Sequence, residues 1–521
     1  MLKSIRLRNL RSFPNDDNAP YVDLKPLTVL IGKNSSGKSS FLRSLPLLRQ
    51  SVEANTTGPI LWYSSYVDFG AFSEAKNDDS KEKIIYFDFK FNLNMPENFN
   101  NSYIYDWSSS KKISSENLFT VLKVGVTEVN KKTVAKEMTI KIYDSEYKFT
   151  FNENHKCDFF IDNELQILQE ELQYLSTNSF LPLIITSTGK NEHRITSENL
   201  RGLYRLSYEN LYKKIKKYFQ GNTSELTIKN GLERIGVNER SEIRNVLAKV
   251  FKNNKTFMNN LLRKENEICD IVYELSLTAN ISGILNILNN EVEKTFSNVK
   301  YIAPLRATAE RYYRHQDLQV NEIDHTGSNL AMLLRSFSAG ENEKFTKWTS
   351  ENFGFQVKVE EQGLHYALKI KTESDPKEYN INDMGFGFSQ VLPIVASIWM
   401  ETSGRRRNSN RRSKGIIFAI EQPELHLHPE YQGRLAKMFA SVVKTAKENK
   451  VNLNIVFETH SQTIIDTLGE CIEEKVLEPQ DVNIVLFDKK PDTSITNIKF
   501  SHFNKEGFLE QWPIGFFSGR I

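Results

Sequence analysis

The stretch GKNSSGKSS places Gly32, Gly37, Lys38 and Ser39 in the pattern G-x-x-x-x-G-K-[ST]. Glycines at this spacing let backbone N–H groups wrap phosphates, and a following helix adds its partial positive charge. Asn34, Ser36 and Ser40 share this cradle. Lys38 is placed to reach the β- and γ-phosphates of a nucleotide, and the Ser39 hydroxyl to ligate Mg2+. The apolar run before the loop and the helical spacing after it supply the strand–loop–helix context that the pattern needs.

A second group of residues sits in IIFAIEQPELHLHPEYQ, Ile416 to Gln432. GIIFAI reads as a central strand, so Glu421 emerges at its carboxyl end, where open α/β sheets place ligands. Glu421 is expected to hold the magnesium ion. Gln422 stands where a general base would polarise the attacking water; an amide can orient a water but cannot take its proton. Glu424 either stands in as that base or caps the helix that follows. His460, in ETHS after another apolar strand, is placed to touch the γ-phosphate or the water. His426 and His428 alternate as metal ligands might be sought, but with no third ligand nearby they read as loop packing.

The elements that must position these groups form an α/β texture at both ends of the chain. Of 521 residues, 39% are hydrophobic and 26% charged, with a net charge of +3, which neither demands nor excludes nucleic acid. Cys157, Cys269 and Cys471 are scattered, without a disulfide or metal spacing, so a reducing cytoplasm is the expected location. No uninterrupted apolar run approaches the ~20 residues needed to cross a bilayer, and no membrane partner is expected. Residues 1–90 read as strands, loop and helix. Residues 91–298 become rich in Lys, Asn and Glu, first alternating like antiparallel strands and then patterned as helices; this block reads as an insertion that binds a partner. Residues 299–521 return to α/β texture, with a glycine segment, INDMGFGFSQVLPIVASIW, and a basic tract, RRRNSNRRSK. That tract reads either as a solvated loop or as a phosphate contact.

Taken together, LRNLRSF, GKNSSGKSS, YIAPLRATAERYY, DMGFGFSQVLPI, IEQPELHLHP and ETHS resemble the ABC-type ATPases of the SMC, RecF and OLD group. They are similar above all to stand-alone bacterial AAA family ATPases of phage defence, of the Septu or PARIS kind. The resemblance covers residues 1–75 and 299–517. It implies an α/β, ABC-type P-loop ATPase head with ATP and Mg2+ as cofactors, and a homodimer or higher oligomer closed around ATP. Gly385, Gly387, Ser389 and Gln390 match the signature segment that meets the nucleotide of the other copy. Gln50 and the Tyr66–Phe72 turn are weak matches to a Q-loop, and Arg306 matches a position that reads phosphate or makes an ion pair. With Gln422 at the base position, slow hydrolysis is expected, with ATP acting as a clamp. The implied role is that of a sensor or scaffold controlling a separate nuclease or toxin from the same operon. No nuclease motif is found in the chain, and DNA or RNA is an optional partner. The competing expectation is a RecF- or SMC-like maintenance ATPase that clamps DNA directly.

Overall fold

Six consecutive residues, Leu27–Gly32, are fully enclosed and form β1, the strand that delivers the glycine loop. Helix α1, Lys38–Glu53, follows directly and runs through Pro46. The computed structural model describes residues 1–54, 56–96, 113–166, 168, 171–175, 180–186, 197–314, 320–373, 375–403, 415–489 and 493–512. The basic tract Arg405–Lys414 lies outside the described residues, as do residues 513–521.

The chain divides into two compact units. One comprises Ser4–Glu53, Leu61–Lys81 and Lys294–Ile521. Its sheet is built from β1 with β2 (Val299–Ile302), β3 (Ile416–Glu421), β4 (Leu453–Glu458), β5 (Val482–Lys489), β6 (Thr496–Phe503) and β7 (Leu509–Glu510), in the order β2-β3-β4-β1-β5-β6-β7. Neighbours from β2 to β5 run parallel, whereas β6 and β7 return antiparallel. Parallel strands covered on both faces read as continuous apolar runs rather than alternations. This is why IIFAIE, LNIVFE and VNIVLF are almost wholly buried. Helices α2 (Phe386–Thr402), α3 (Pro429–Glu448) and α4 (Gln462–Glu473) belong to this unit. Leu392, Val395, Leu435, Phe439, Ile465 and Leu468 share one apolar core with Val29, Phe418 and Phe457 of the strands. A parallel sheet brings the carboxyl ends of its strands to one edge, and that edge carries the glycine loop, Glu421 and Glu458.

The first strand, Leu2–Arg8, departs from its alternating sequence, since Arg6 and Arg8 are buried as well as its apolar residues. The loop that follows accounts for this. Arg6 donates to the carbonyls of Asp17 and Ala19, and Arg8 pairs with Asp17 at 3.0 Å.

The other unit comprises Met1–Lys3, Ala54–Ile60 and Glu82–Glu293, so it begins earlier than residue 91 and takes in two short pieces of the amino-terminal segment. Strands Ile85–Pro96, Ile113–Val129, Lys132–Ile142, Ser145–Phe151 and Lys156–Ile161 form an antiparallel meander. Leu172–Leu175 and Leu183–Thr186 continue it. Ser145–Phe151 shows the strict alternation of a sheet with one buried face. Helices follow, ending in Glu265–Phe296. That last helix is long and apolar enough to cross a membrane by length and composition, yet 83% of its apolar window is buried inside the protein.

Candidate functional site

The glycine loop has the backbone that its residue types require. Gly37 adopts φ +106°, and a Cβ there would lie 2.5 Å from Thr496 Oγ1; one on Gly32 would lie 2.2 Å from the carbonyl oxygen of Phe487. Ser35 also takes a left-handed conformation, φ 60°. Asn34 is exposed at the tip, Ser36 is buried, and Ser39 and Ser40 open the helix half-buried. Thr496 of β6 anchors the loop, donating to the Ser36 carbonyl at 2.8 Å and pairing with Ser12 Oγ at 2.7 Å. Beside the loop lies a cavity of about 350 Å3, lined by Ser35 to Ser40 together with Arg11, Ser12, Lys76, Asp78, Lys489 and Ser494.

Lys38 is folded back, donating to the carbonyls of Gly32 and Lys33 at 2.9 Å each. Burial lowers its pKa, against the opposing charges of Glu458 and Glu424. A lysine desolvated in this way, flanked by two carboxylates, is well disposed to exchange carbonyl oxygens for phosphate oxygens.

Glu421 and Glu458 end adjacent parallel strands in register. Their partners differ. Both Glu421 oxygens are held by Arg43, Oε1 by Nε at 2.7 Å and Oε2 by Nη2 at 2.8 Å, and Tyr301 donates to Oε1 at 2.6 Å. The carboxylate that meets the Ser39 hydroxyl is that of Glu458, at 2.8 Å. Burial, and then the neighbouring charge of Glu421, push Glu458 up to about 7, against the hydrogen bond from Ser39. In this structure Ser39 therefore meets Glu458 rather than Glu421, the acid expected to hold the ion. An arginine one turn after Ser39 occupies Glu421, and Glu458 takes the place beside the serine. Among the described residues no cluster of three His, Cys, Asp or Glu could hold an ion unaided. Ser39 and Glu458 offer the hard oxygens that suit Mg2+, which is bound by one or two carboxylates together with substrate phosphates.

Gln422 stands at φ 39°, a left-handed conformation that a glutamine seldom adopts, held by its N–H on the Glu458 carbonyl at 3.1 Å. Its side-chain amide has no partner among the described residues. Glu424 accepts the His460 N–H on Oε1 at 2.7 Å, which brings the sequence-distant PE and TH pairs together. Burial raises its pKa, opposed by that N–H and by the charge of Arg306. His460 is exposed overall; partial desolvation of its ring and then the charge of Lys38 lower its pKa. His428 caps α3 through its Nδ1, and His426 is exposed at φ 63°, so neither is gathered into a metal site. Ser461 caps α4.

The glycine segment behaves in two halves. Gly385, φ +77°, is exposed at the start of α2, and Gly387 is half-buried. Ser389 and Gln390 are buried, and the Gln390 amide is engaged on both backbone groups of Arg306 at 3.4 Å each. The Gln390 amide is thus engaged within its own unit. Gln50, the weak Q-loop match, has its amide on the Leu61 carbonyl at 2.6 Å and the Val67 N–H at 3.2 Å, which pins that turn. Among the described residues Arg306 forms no ion pair; it donates through Nη2 to the Glu421 carbonyl at 2.8 Å. Arg11, Ser12, Lys489 and Thr496 were not singled out by sequence reasoning, although the RS pair after LRNL was the one available signal for the first two.

A glycine loop between strand and helix, a lysine among carboxylates and strand-end acids at one sheet edge define a P-loop nucleoside triphosphatase. The family model described as "AAA ATPase domain" (AAA_15) matches residues 1–465, and the chain belongs to that family. No curated protein matches it. Among solved structures it is similar to the Smc head bound to the C-terminal winged-helix domain of ScpA, at 9% identity and TM-score 0.36, covering 97% of this chain and 98% of that one. It is also similar to the SMC head domain from Thermotoga maritima, at 8% identity and TM-score 0.32, covering 96% and 98%.

Proposed function

We propose that this ATPase is a slow, ATP-gated clamp that serves as sensor or scaffold of a bacterial cytoplasmic anti-phage complex and controls a separate nuclease or toxin. The observation that carries the clamp reading is Gln422: the residue at the strand end, where a general base would polarise water, bears an amide. An amide holds water without accepting its proton, so proton transfer falls to a group outside this position, hydrolysis is slow and the ATP-bound state is long-lived. Ser39 and Glu458 would hold the magnesium ion, which supplies positive charge to the phosphates when bound. Two copies would close head to head on ATP, with the exposed start of α2 at Gly385 offering N–H groups to the partner's nucleotide. The defence role rests on the resemblance of the motifs to Septu- and PARIS-type ATPases, and the unit formed largely by Glu82–Glu293 is the natural place for the effector to bind.

The test is to purify the tagged chain with its native operon in Mg·ATP and determine mass and composition. A dimer or larger assembly containing a nuclease or toxin supports the proposal. A chain that emerges alone, and dimerises only on DNA, supports the maintenance reading instead. The basic tract Arg405–Lys414 favours that alternative, and neutralising Arg405–Arg407 with Arg411–Arg412 would then abolish DNA binding.

A further inference from the structure

Two charged groups at the strand edge have enclosed polar atoms left over. Arg306 is 5% exposed, and while its Nη2 donates to the Glu421 carbonyl, its Nε and Nη1 are buried without a hydrogen-bond partner. Glu424 has Oε1 on the His460 N–H, while its enclosed Oε2 makes no hydrogen bond of full geometry, although the Thr459 hydroxyl and its own N–H lie close enough to favour the carboxylate. Native proteins seldom leave such atoms unsatisfied, because a desolvated donor or acceptor loses its hydration without replacement. The two side chains feel each other's charge but make no direct ion pair. Donors on one side and an acceptor on the other are what a single water molecule needs, since a buried water makes two to four hydrogen bonds.

The location gives that water a use. The charge of Glu424 also acts on Lys38, the lysine placed for the β- and γ-phosphates. Arg306 is fixed to the main chain of Glu421, the residue before Gln422. We infer that Arg306 and Glu424 hold between them the water that attacks the γ-phosphate, with Glu424 Oε2 as the proton acceptor and Arg306 as a positioning residue. The inference rests on the ATPase reading above. In the step, the water oxygen forms a bond to the γ-phosphorus as the bond to the β–γ bridging oxygen breaks. ADP leaves with that electron pair, and the water's proton passes to Glu424 and then to solvent. An N–H of Arg306 on the water occupies one lone pair and leaves the other for attack. Gln390 of α2 grips the backbone of Arg306 on both sides, so a shift of α2 when two copies close would move the water with it.

The experiment compares the full-length wild-type chain with Glu424→Gln, Arg306→Lys and Gln422→Ala. It measures binding of a fluorescent ATP analogue with Mg2+ and single-turnover hydrolysis of radiolabelled ATP. Glu424→Gln is expected to bind within about threefold of wild type and to lose about 100-fold or more in rate, the usual worth of a general base. Arg306→Lys keeps one donor and is expected to fall between the two in single-turnover rate, with little change in binding of the analogue. Hydrolysis by Glu424→Gln within threefold of wild type would overturn the inference alone. A wild-type chain that neither binds nor hydrolyses ATP would overturn the ATPase reading and this inference together.

Discussion

Ser39 and Glu458 meet at 2.8 Å, hydroxyl to carboxylate, while the register partner of Glu458, Glu421, is held by Arg43 and Tyr301. Two strand-end acids of the same type thus have different partners, and the proposed ligand-facing task falls to Glu458. Glu458→Gln should weaken binding of nucleotide in the presence of Mg2+ by about 10- to 100-fold, the range seen when a group orienting a metal is removed. Binding measured in EDTA should change little. Titration of a fluorescent ATP analogue with and without Mg2+ checks this, and equal losses in both conditions would refute the assignment.

Arg43→Ala should act on stability rather than on magnesium. Glu421 is 1% exposed, and losing its bidentate partner leaves a buried carboxylate with Tyr301 as its remaining side-chain donor. Breaking such a pair costs about 3–5 kcal/mol when both partners are buried. Arg43 is 41% exposed, so a smaller loss of about 2 kcal/mol is expected. Thermal unfolding would show this as a Tm lowered by several degrees.

Thr496→Val should weaken nucleotide binding without unfolding the chain. The hydroxyl holds the Ser36 carbonyl from β6, so its loss frees the glycine loop. A net hydrogen bond of about 1 kcal/mol corresponds to roughly a fivefold weaker Kd. Calorimetric titration with Mg·ATP measures it directly.

Much of this was legible in the sequence. The glycine loop and the buried parallel strands follow from short-range pattern, because G-x-x-x-x-G-K-[ST] and continuous apolar runs carry their own backbone requirements. The division between Glu421 and Glu458 was not legible, since it depends on Arg43 lying one helical turn past Ser39 and on Tyr301 from a strand far away in sequence. The partners of Gln390 and Gln50 were hidden from the sequence for a related reason. Each has the residue type expected of a nucleotide contact, yet each is spent on backbone groups, at Arg306 and at Leu61–Val67, that only the tertiary arrangement brings near. The pairing of Glu424 with the His460 N–H likewise joins two motifs that sequence reads separately.

Stability should also respond to acid through Glu322. Burial opposes its ionisation, but the Arg49 guanidinium at 2.6 Å and Lys300 at 2.7 Å outweigh it and hold the carboxyl below its ordinary value of 4.5. The unfolded chain therefore takes up this proton at higher pH than the folded one. The stabilisation is present above about pH 4.5 and is lost as pH falls through the lower folded value. The Tm gap between wild type and Glu322→Gln should accordingly shrink as pH is lowered from 6 to 4, and a gap independent of pH would contradict this.

The central claim, that Gln422 makes ATP a lasting clamp, is tested most directly by the lifetime of the ATP-bound oligomer. Wild type and Gln422→Glu would be loaded with Mg·ATP, and mass and bound nucleotide followed by light scattering after rapid removal of free ATP. The account predicts a dimer that persists in wild type and decays about tenfold or more faster in Gln422→Glu, as a carboxylate takes up the proton. A chain that stays monomeric with ATP, or two oligomers that decay at the same rate, would contradict it.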